Sequence, residues 1–273
     1  MSTLDELARV VLACEPGVLP GLVTIDNMEH LFLRAPGGAE LIEATLTFMA
    51  RTEERVCWVG GITLSAWQQV EAAVPTAVAM IDGSRLPPLT ADEMRKAVVA
   101  RHRRSGLPLR YQEPRGRRLL KRRLKRADSP EAVRSILAED YFDQLARTSS
   151  GDLRLALFQW LLGCDFEAGE GLLIRPPARP DYSALDSLSW TEAFTLKAFL
   201  DHRTLTLSEH DEVFRMPRDE SAHIFESLVN RRLIRPVGSG PVDTSPSSEG
   251  RFRIHRLLVG AVSQHLRERN IVH

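Results

Sequence analysis

Residues 23–32 read VTIDNMEHLF, a short apolar run that ends on Asp26 with Glu29 three residues further on. A carboxylate set at the end of a strand can hold a magnesium ion through water. A second carboxylate placed like Glu29 can orient the water that attacks a phosphoryl group. The other role open to Asp26 is to cap the helix that follows the strand. A second apolar run, CWVGGIT, ends on Thr63, whose hydroxyl could contact a terminal phosphate or simply turn the chain. Gly151, Asp152, Leu153 and Arg154 open a hydrophobic helix, and Arg154 there could reach the same phosphate or stand as a surface charge.

These four side chains need a parallel sheet to present them. Leu4, Leu7, Ala8, Val11 and Leu12 have helical spacing, with Pro16-Gly17 as the stop. GLVTID then reads as a strand covered on both faces, GAELIEATLTFMARTEE as an amphipathic helix, and RVCWVGGIT as a second strand. A helix around LSAWQQVEAAV and a third strand, AVAMI, complete a β-α-β-α-β order. Such an order predicts a parallel sheet of about three strands whose chemistry sits at the carboxyl ends of the strands.

From Thr90 the pattern turns helical. TADEMRKAVVARHRRS opens with the Thr90 and Glu93 pair of a capping box and stops at Gly106. RGRRLLKRRLKR, SPEAVRSILAEDYFDQLARTS (Ser129 before Pro130 in the first turn) and GDLRLALFQWLLG follow, so the middle of the chain is expected to be an all-helical layer. The Pro-rich IRPPARPDYSALDS marks a boundary. Three helical stretches then precede LIRPV and RFRIH, which are expected to pair as a hairpin around GSGPVDTSPSSEG before a last helix, RLLVGAVSQHLRERN. The pattern is that of a winged helix. The expected division is 1–89 for an α/β core, 90–170 for a helical lid, 171–182 for a linker and 183–273 for the winged helix.

With these stretches in order, the chain resembles the AAA+ group of P-loop ATPases over almost its whole length, especially bacterial ones that carry a winged helix after the lid. VTIDNMEHLF looks like the Walker B strand, and its D-N-x-E-H form is similar to that of the signalling ATPases called STAND proteins. CWVGGIT resembles the sensor 1 strand, AVAMIDGSRLPPLTADEM the last core strand running into the lid, and GDLRLALFQW the sensor 2 helix. The resemblance implies ATP and Mg²⁺ as ligands. It makes Asp26 the magnesium residue, Glu29 the catalytic carboxylate, Thr63 sensor 1 and Arg154 sensor 2. Asn27 stands where many of these enzymes carry an acidic residue.

The phosphate-binding loop of that group, G-x-x-x-x-G-K-[ST], cradles phosphates with backbone amides and a lysine. Among these 273 residues no lysine follows a glycine, and none precedes Ser or Thr. The expectation is therefore the C-terminal part of an ATPase, with the loop supplied by a missing N-terminal segment or a partner subunit. Alone, such a chain binds ATP weakly or not at all. The other expectation is a non-catalytic adaptor that uses the winged helix to bind DNA or a protein partner.

Charge is uneven along a chain of zero net charge. Residues 95–126 hold fourteen Lys or Arg against Glu113 alone, a net of +13, and eight of them fall within 115–126. That block could meet nucleic acid or an anionic surface, or pair with the nearby Asp128, Glu131, Glu139, Asp140 and Asp143. Residues 183–273 balance at twelve basic and twelve acidic, which gives no electrostatic footprint for nucleic acid. Cys14, Cys57 and Cys164 form no C-x-x-C pair, so neither a zinc site nor a disulfide framework is expected. The acidic N-terminus and the lack of a long apolar run point to a cytoplasmic protein without a transmembrane segment.

Overall fold

A computed structural model describes residues 3–14, 21–167, 171–178, 182–237 and 250–271. The expected stop at Pro16-Gly17 and most of the GSGPVDTSPSSEG loop lie outside the described residues. The fold is mixed α/β, with many short helices and, among the described residues, three small sheets.

Helix α1 (Thr3–Ala13) leads to strand β1 (Leu22–Ile25), which ends at a 3-10 turn over Met28–Leu31. Helix α2 (Glu40–Arg51) returns the chain to β2 (Cys57–Gly60), which pairs with β1 in parallel with Leu22 opposite Cys57 and Ile25 opposite Gly60. Helices α3 (Leu64–Ala73) and α4 (Pro75–Val78) follow. Ile42, Leu46 and Met49 of α2 meet Val70, Val74 and Ala77 in one apolar cluster, which Ile25 and Trp58 join from the sheet.

Two expectations for this region are corrected. AVAMI is not a third strand: Pro75 sits in the first turn of α4, and Val78 and Ala79 donate backbone hydrogen bonds to Val74 and Pro75. Proline presets the helical φ there, and Val74, Ala77, Val78 and Ile81 then face the core at helical spacing. Nor are the strands covered on both faces. Leu22 and Val59 are 58% and 50% exposed, because the apolar cluster lies on one face of a two-stranded sheet.

Residues 86–182 form a compact unit of their own. Thr90 and Glu93 make the expected reciprocal capping box at the start of α5 (Ala91–His102), and a 3-10 turn ends at Gly106 in the left-handed region. Strand β3 (Leu109–Tyr111) precedes α6 (Arg118–Leu124), α7 (Pro130–Thr148) and α8 (Leu153–Gly163). Strands β4 (Cys164–Glu167) and β5 (Gly171–Ile174) complete a three-stranded sheet in the order β3-β5-β4, with β3 parallel and β4 antiparallel to β5. The expectation of an all-helical layer is thus corrected, and the stretch expected to begin the linker at 171 starts with a strand. Aromatic packing explains the sheet: Tyr111 from β3 lies 5.4–6.3 Å, centroid to centroid, from the rings of Tyr141, Phe142 and Trp160.

The last segment runs through α9 (Ser183–Asp186), α10 (Trp190–His202), α11 (Leu207–Phe214) and α12 (Arg218–Asn230). Strands β6 (Ile234–Pro236) and β7 (Phe252–Ile254) pair antiparallel as expected, and α13 (Val259–Glu268) closes the chain. Ser189 with Glu192 and Thr206 with Glu209 box the starts of α10 and α11. His210 ties the three helices together, with Thr195 at 2.9 Å on one ring nitrogen and Ser221 at 2.8 Å on the other. This segment joins residues 1–85 in a second compact unit. No helix among the described residues is long and apolar enough to cross a membrane.

Candidate functional site

The parallel pairing of β1 and β2 brings two of the expected site residues to neighbouring strand ends. Gly61 donates its amide to the Ile25 carbonyl at 2.8 Å, and Met28 donates to the Gly61 carbonyl at 2.9 Å, so the chain beyond Asp26 is held beside the chain leading to Thr63. The glycine pair permits this approach: a Cβ at Gly60 would fall 2.5 Å from the Met28 sulfur, and one at Gly61 3.0 Å from Asp26 Oδ1.

Asp26 is exposed, and its carboxylate is held by the next residue. The Asn27 backbone amide donates to Oδ1 at 2.8 Å and the Asn27 side-chain amide to Oδ2 at 3.1 Å. That geometry needs Asn27 in the left-handed region, φ 60, which asparagine tolerates better than most residues. Asp26 therefore does not cap a regular helix; it begins the 3-10 turn with a preset carboxylate. Each oxygen keeps lone-pair capacity, as an ionised carboxylate offers about four acceptor sites. Among the described residues no group of three or more His, Cys, Asp or Glu could hold a metal ion. One carboxylate suits magnesium only when phosphate and water fill the remaining positions, which is how nucleotide sites commonly hold it.

Thr63 stands at the N-cap of α3, but its hydroxyl caps nothing. Its Oγ1 is buried and has no hydrogen-bond partner, an orphaned polar atom at a strand end. Glu29 is placed differently: it is 1% exposed, its Oε1 accepts from Arg203 at 2.9 Å and its Oε2 has no partner. Arg203 also donates to the Asn27 side-chain carbonyl. The guanidinium, from the turn after α10, therefore closes over both members of the Asn27–Glu29 stretch.

Neighbouring contacts fix that turn. Asp201, fully buried, accepts from Ser65 of α3 at 2.5 Å and from Lys197 at 2.7 Å. His202 is buried, with its ring 5.7 Å from that of Phe32. Burial pulls its pKa down to about 4, opposed by Asp201 and reinforced by Arg34. A cavity of about 320 Å³ lies here, and Glu29, Phe32, His202, Thr204 and Arg251 contribute to its wall. Arg251 is anchored by Glu209 at 2.5 Å and by Thr204 at 3.1 Å.

Arg154 belongs to the other unit. It is exposed on the first turn of α8, after Asp152, whose side chain accepts from the Leu155 amide at 2.7 Å. Gly151 before it has φ 75, and a Cβ there would lie 2.4 Å from that of Pro88. Leu89 donates to the Gly151 carbonyl at 3.2 Å, so the PPLT stretch and the GDLR stretch are neighbours in the fold.

Sequence reasoning missed Arg203 and Ser65. Neither carries a periodic or motif signal, because each acts through a partner far away in the chain, 174 residues for Arg203 and Glu29. No family model, curated protein or solved structure compared with the chain matches it.

Proposed function

We propose that the chain is the magnesium-binding and sensor portion of an AAA+-type ATPase, a nucleotide-driven switch whose phosphate-binding loop comes from outside these residues. In this reading residues 90–170 correspond to the lid and 183–273 to the winged helix. Asp26 holds Mg²⁺ together with the nucleotide, Thr63 senses the terminal phosphate, Glu29 orients water, and Arg154 has the sensor 2 role that the AAA+ resemblance implies. The observation that carries the reading is the pair of parallel strands ending at a preset Asp26 carboxylate and at Thr63, whose buried hydroxyl has no partner. A terminal phosphate oxygen would give that hydroxyl its acceptor. Glu29 works on water only after Arg203 has left it, so the arrangement described here is a resting one.

The test is calorimetric titration with Mg-ATP. The 273-residue chain alone is expected to bind no more tightly than about 1 mM. The chain complemented with a segment or subunit bearing the glycine-lysine loop is expected to bind in the micromolar range and to lose at least about tenfold, some 1.4 kcal/mol, with Asp26→Asn. Micromolar binding by the chain alone would refute the proposal. So would complemented binding that ignores Asp26→Asn.

A further inference from the structure

A cavity of about 840 Å³ lies wholly within the 86–182 unit, between α5, β3 and the first half of α7. Its volume is in the range of pockets that enclose a drug-sized molecule. Val99, Leu109, Tyr111 and Ala138 give it an apolar floor. Its rim is cationic, with Arg95, Lys96, Arg103 and Arg134 against Asp92 and Glu131.

The rim charges are not equivalent. Arg134 is already paired to Glu131 at 2.5 Å, whereas Arg95 and Arg103 have no ion-pair or hydrogen-bond partner among the described residues. Arg95, Val99 and Arg103 follow one another at intervals of four, which sets an apolar contact between two cations along one helical face. Eight residues at the helical rise set their Cα atoms about 12 Å apart, a span that two extended arginine side chains can close on one anion. Arginine forks match the oxygens of a phosphate bidentately. Tyr111 adds a ring to the floor, and its hydroxyl makes no hydrogen bond among the described residues. Burial raises its pKa to about 12 against the pull of Arg95, so at neutral pH it is a donor and brings no negative charge.

We infer that this cavity binds a phosphorylated small molecule with an aromatic or apolar body, the phosphate held between Arg95 and Arg103 above Val99 and the body lying on Leu109 and Tyr111. None of its lining residues belongs to the Asp26 and Thr63 site, so the inference stands apart from the ATPase reading.

The full chain should be titrated calorimetrically with 1-naphthyl phosphate, with inorganic phosphate and with 1-naphthoate as separate probes. The phosphate ester is expected to bind near about 100 µM. Inorganic phosphate and the carboxylate should each be at least about tenfold weaker, since one lacks the body and the other the tetrahedral oxyanion. Arg103→Glu, at an exposed position, and Arg95→Ala should each weaken the ester by about tenfold or more while the circular dichroism melt is unchanged, and Asp26→Asn should leave it unaltered. No ester binding below about 5 mM, or an affinity insensitive to both arginine changes, would overturn the inference. Naphthoate binding as tightly as the ester would overturn the phosphate assignment.

Discussion

His202 and His210 show how single buried side chains set the response of this protein to acid. Burial is the leading cause of depression in both, and each is brought down to about 4 from the ordinary 6.5. The folded chain therefore keeps both rings neutral across a range in which the unfolded chain protonates them. Stability from these groups is complete above about pH 6.5, falls as pH drops towards 4, and changes little below that, at up to about 1.4 kcal/mol per pH unit for each ring. Urea midpoints at pH 7.5 and pH 5 are expected to show this loss. His202→Phe should remove roughly half of it: neither ring nitrogen of His202 has a hydrogen-bond partner of good geometry, and Phe32 already offers an aromatic neighbour. Equal pH dependence in the variant would mean that His202 titrates normally. Glu29 belongs to the same scale. A carboxylate buried to 1% exposure needs its guanidinium, because an unpaired buried charge is far more costly than a surface one.

At the scale of elements, the turn before α8 supplies the sharpest expectation. Gly151 is required twice over, by its positive φ and by the closeness of Pro88. Gly151→Ala should therefore cost more than about 2 kcal/mol, whereas Gly106→Ala, with φ 68 but open space around it, should cost only about 1 kcal/mol. Thermal melts of the two variants make the comparison, and equal losses would show that the Pro88 contact yields easily. These elements also show what a linear reading can reach. The starts of α5 and α7 were legible because a cap and its companion are local, Thr90 with Glu93 three residues on and Ser129 with Pro130 in the first turn. The β6–β7 hairpin and the Asp26 strand end were legible for a similar reason: the apolar run and its punctuation are local. AVAMI was not, since a five-residue apolar run fits either period, and Pro75 just before it decides for helix. Strands β3 and β5 were hidden because Leu109 pairs with Leu172, and three-residue strands carry no period to read. The site divides in the same way. Asp26 could be placed from its own neighbours, but the burial of Glu29 depends on Arg203, and no local pattern announces that partner.

For the whole molecule, the division into units gives a direct test. Residues 86–182 are continuous in sequence and have their own apolar cluster around Tyr141, Phe142 and Trp160. Expressed alone, that stretch is expected to unfold cooperatively in urea, while 1–85 alone should not, because Asp201, His202 and Arg203 from the far end of the chain complete its packing. A cooperative transition in isolated 1–85 would show that the last segment merely rests on a finished core.

The ion pair between Glu29 and Arg203 also sets a timetable. Its partners leave the ribosome 174 residues apart. At the usual 5–20 residues per second, the Glu29 carboxylate exists for about 9–35 s before its counter-charge has been made. Through that interval the β1–β2 strands have neither Arg203 nor the Ser65 to Asp201 bond to hold them, and Phe32, buried against the His202 ring in the finished fold, lacks that neighbour. Nascent chains of this protein thus pass through a period in which Glu29 and Phe32 lack their late partners, and slowing translation within 86–182, which supplies more than half of the intervening residues, lengthens it.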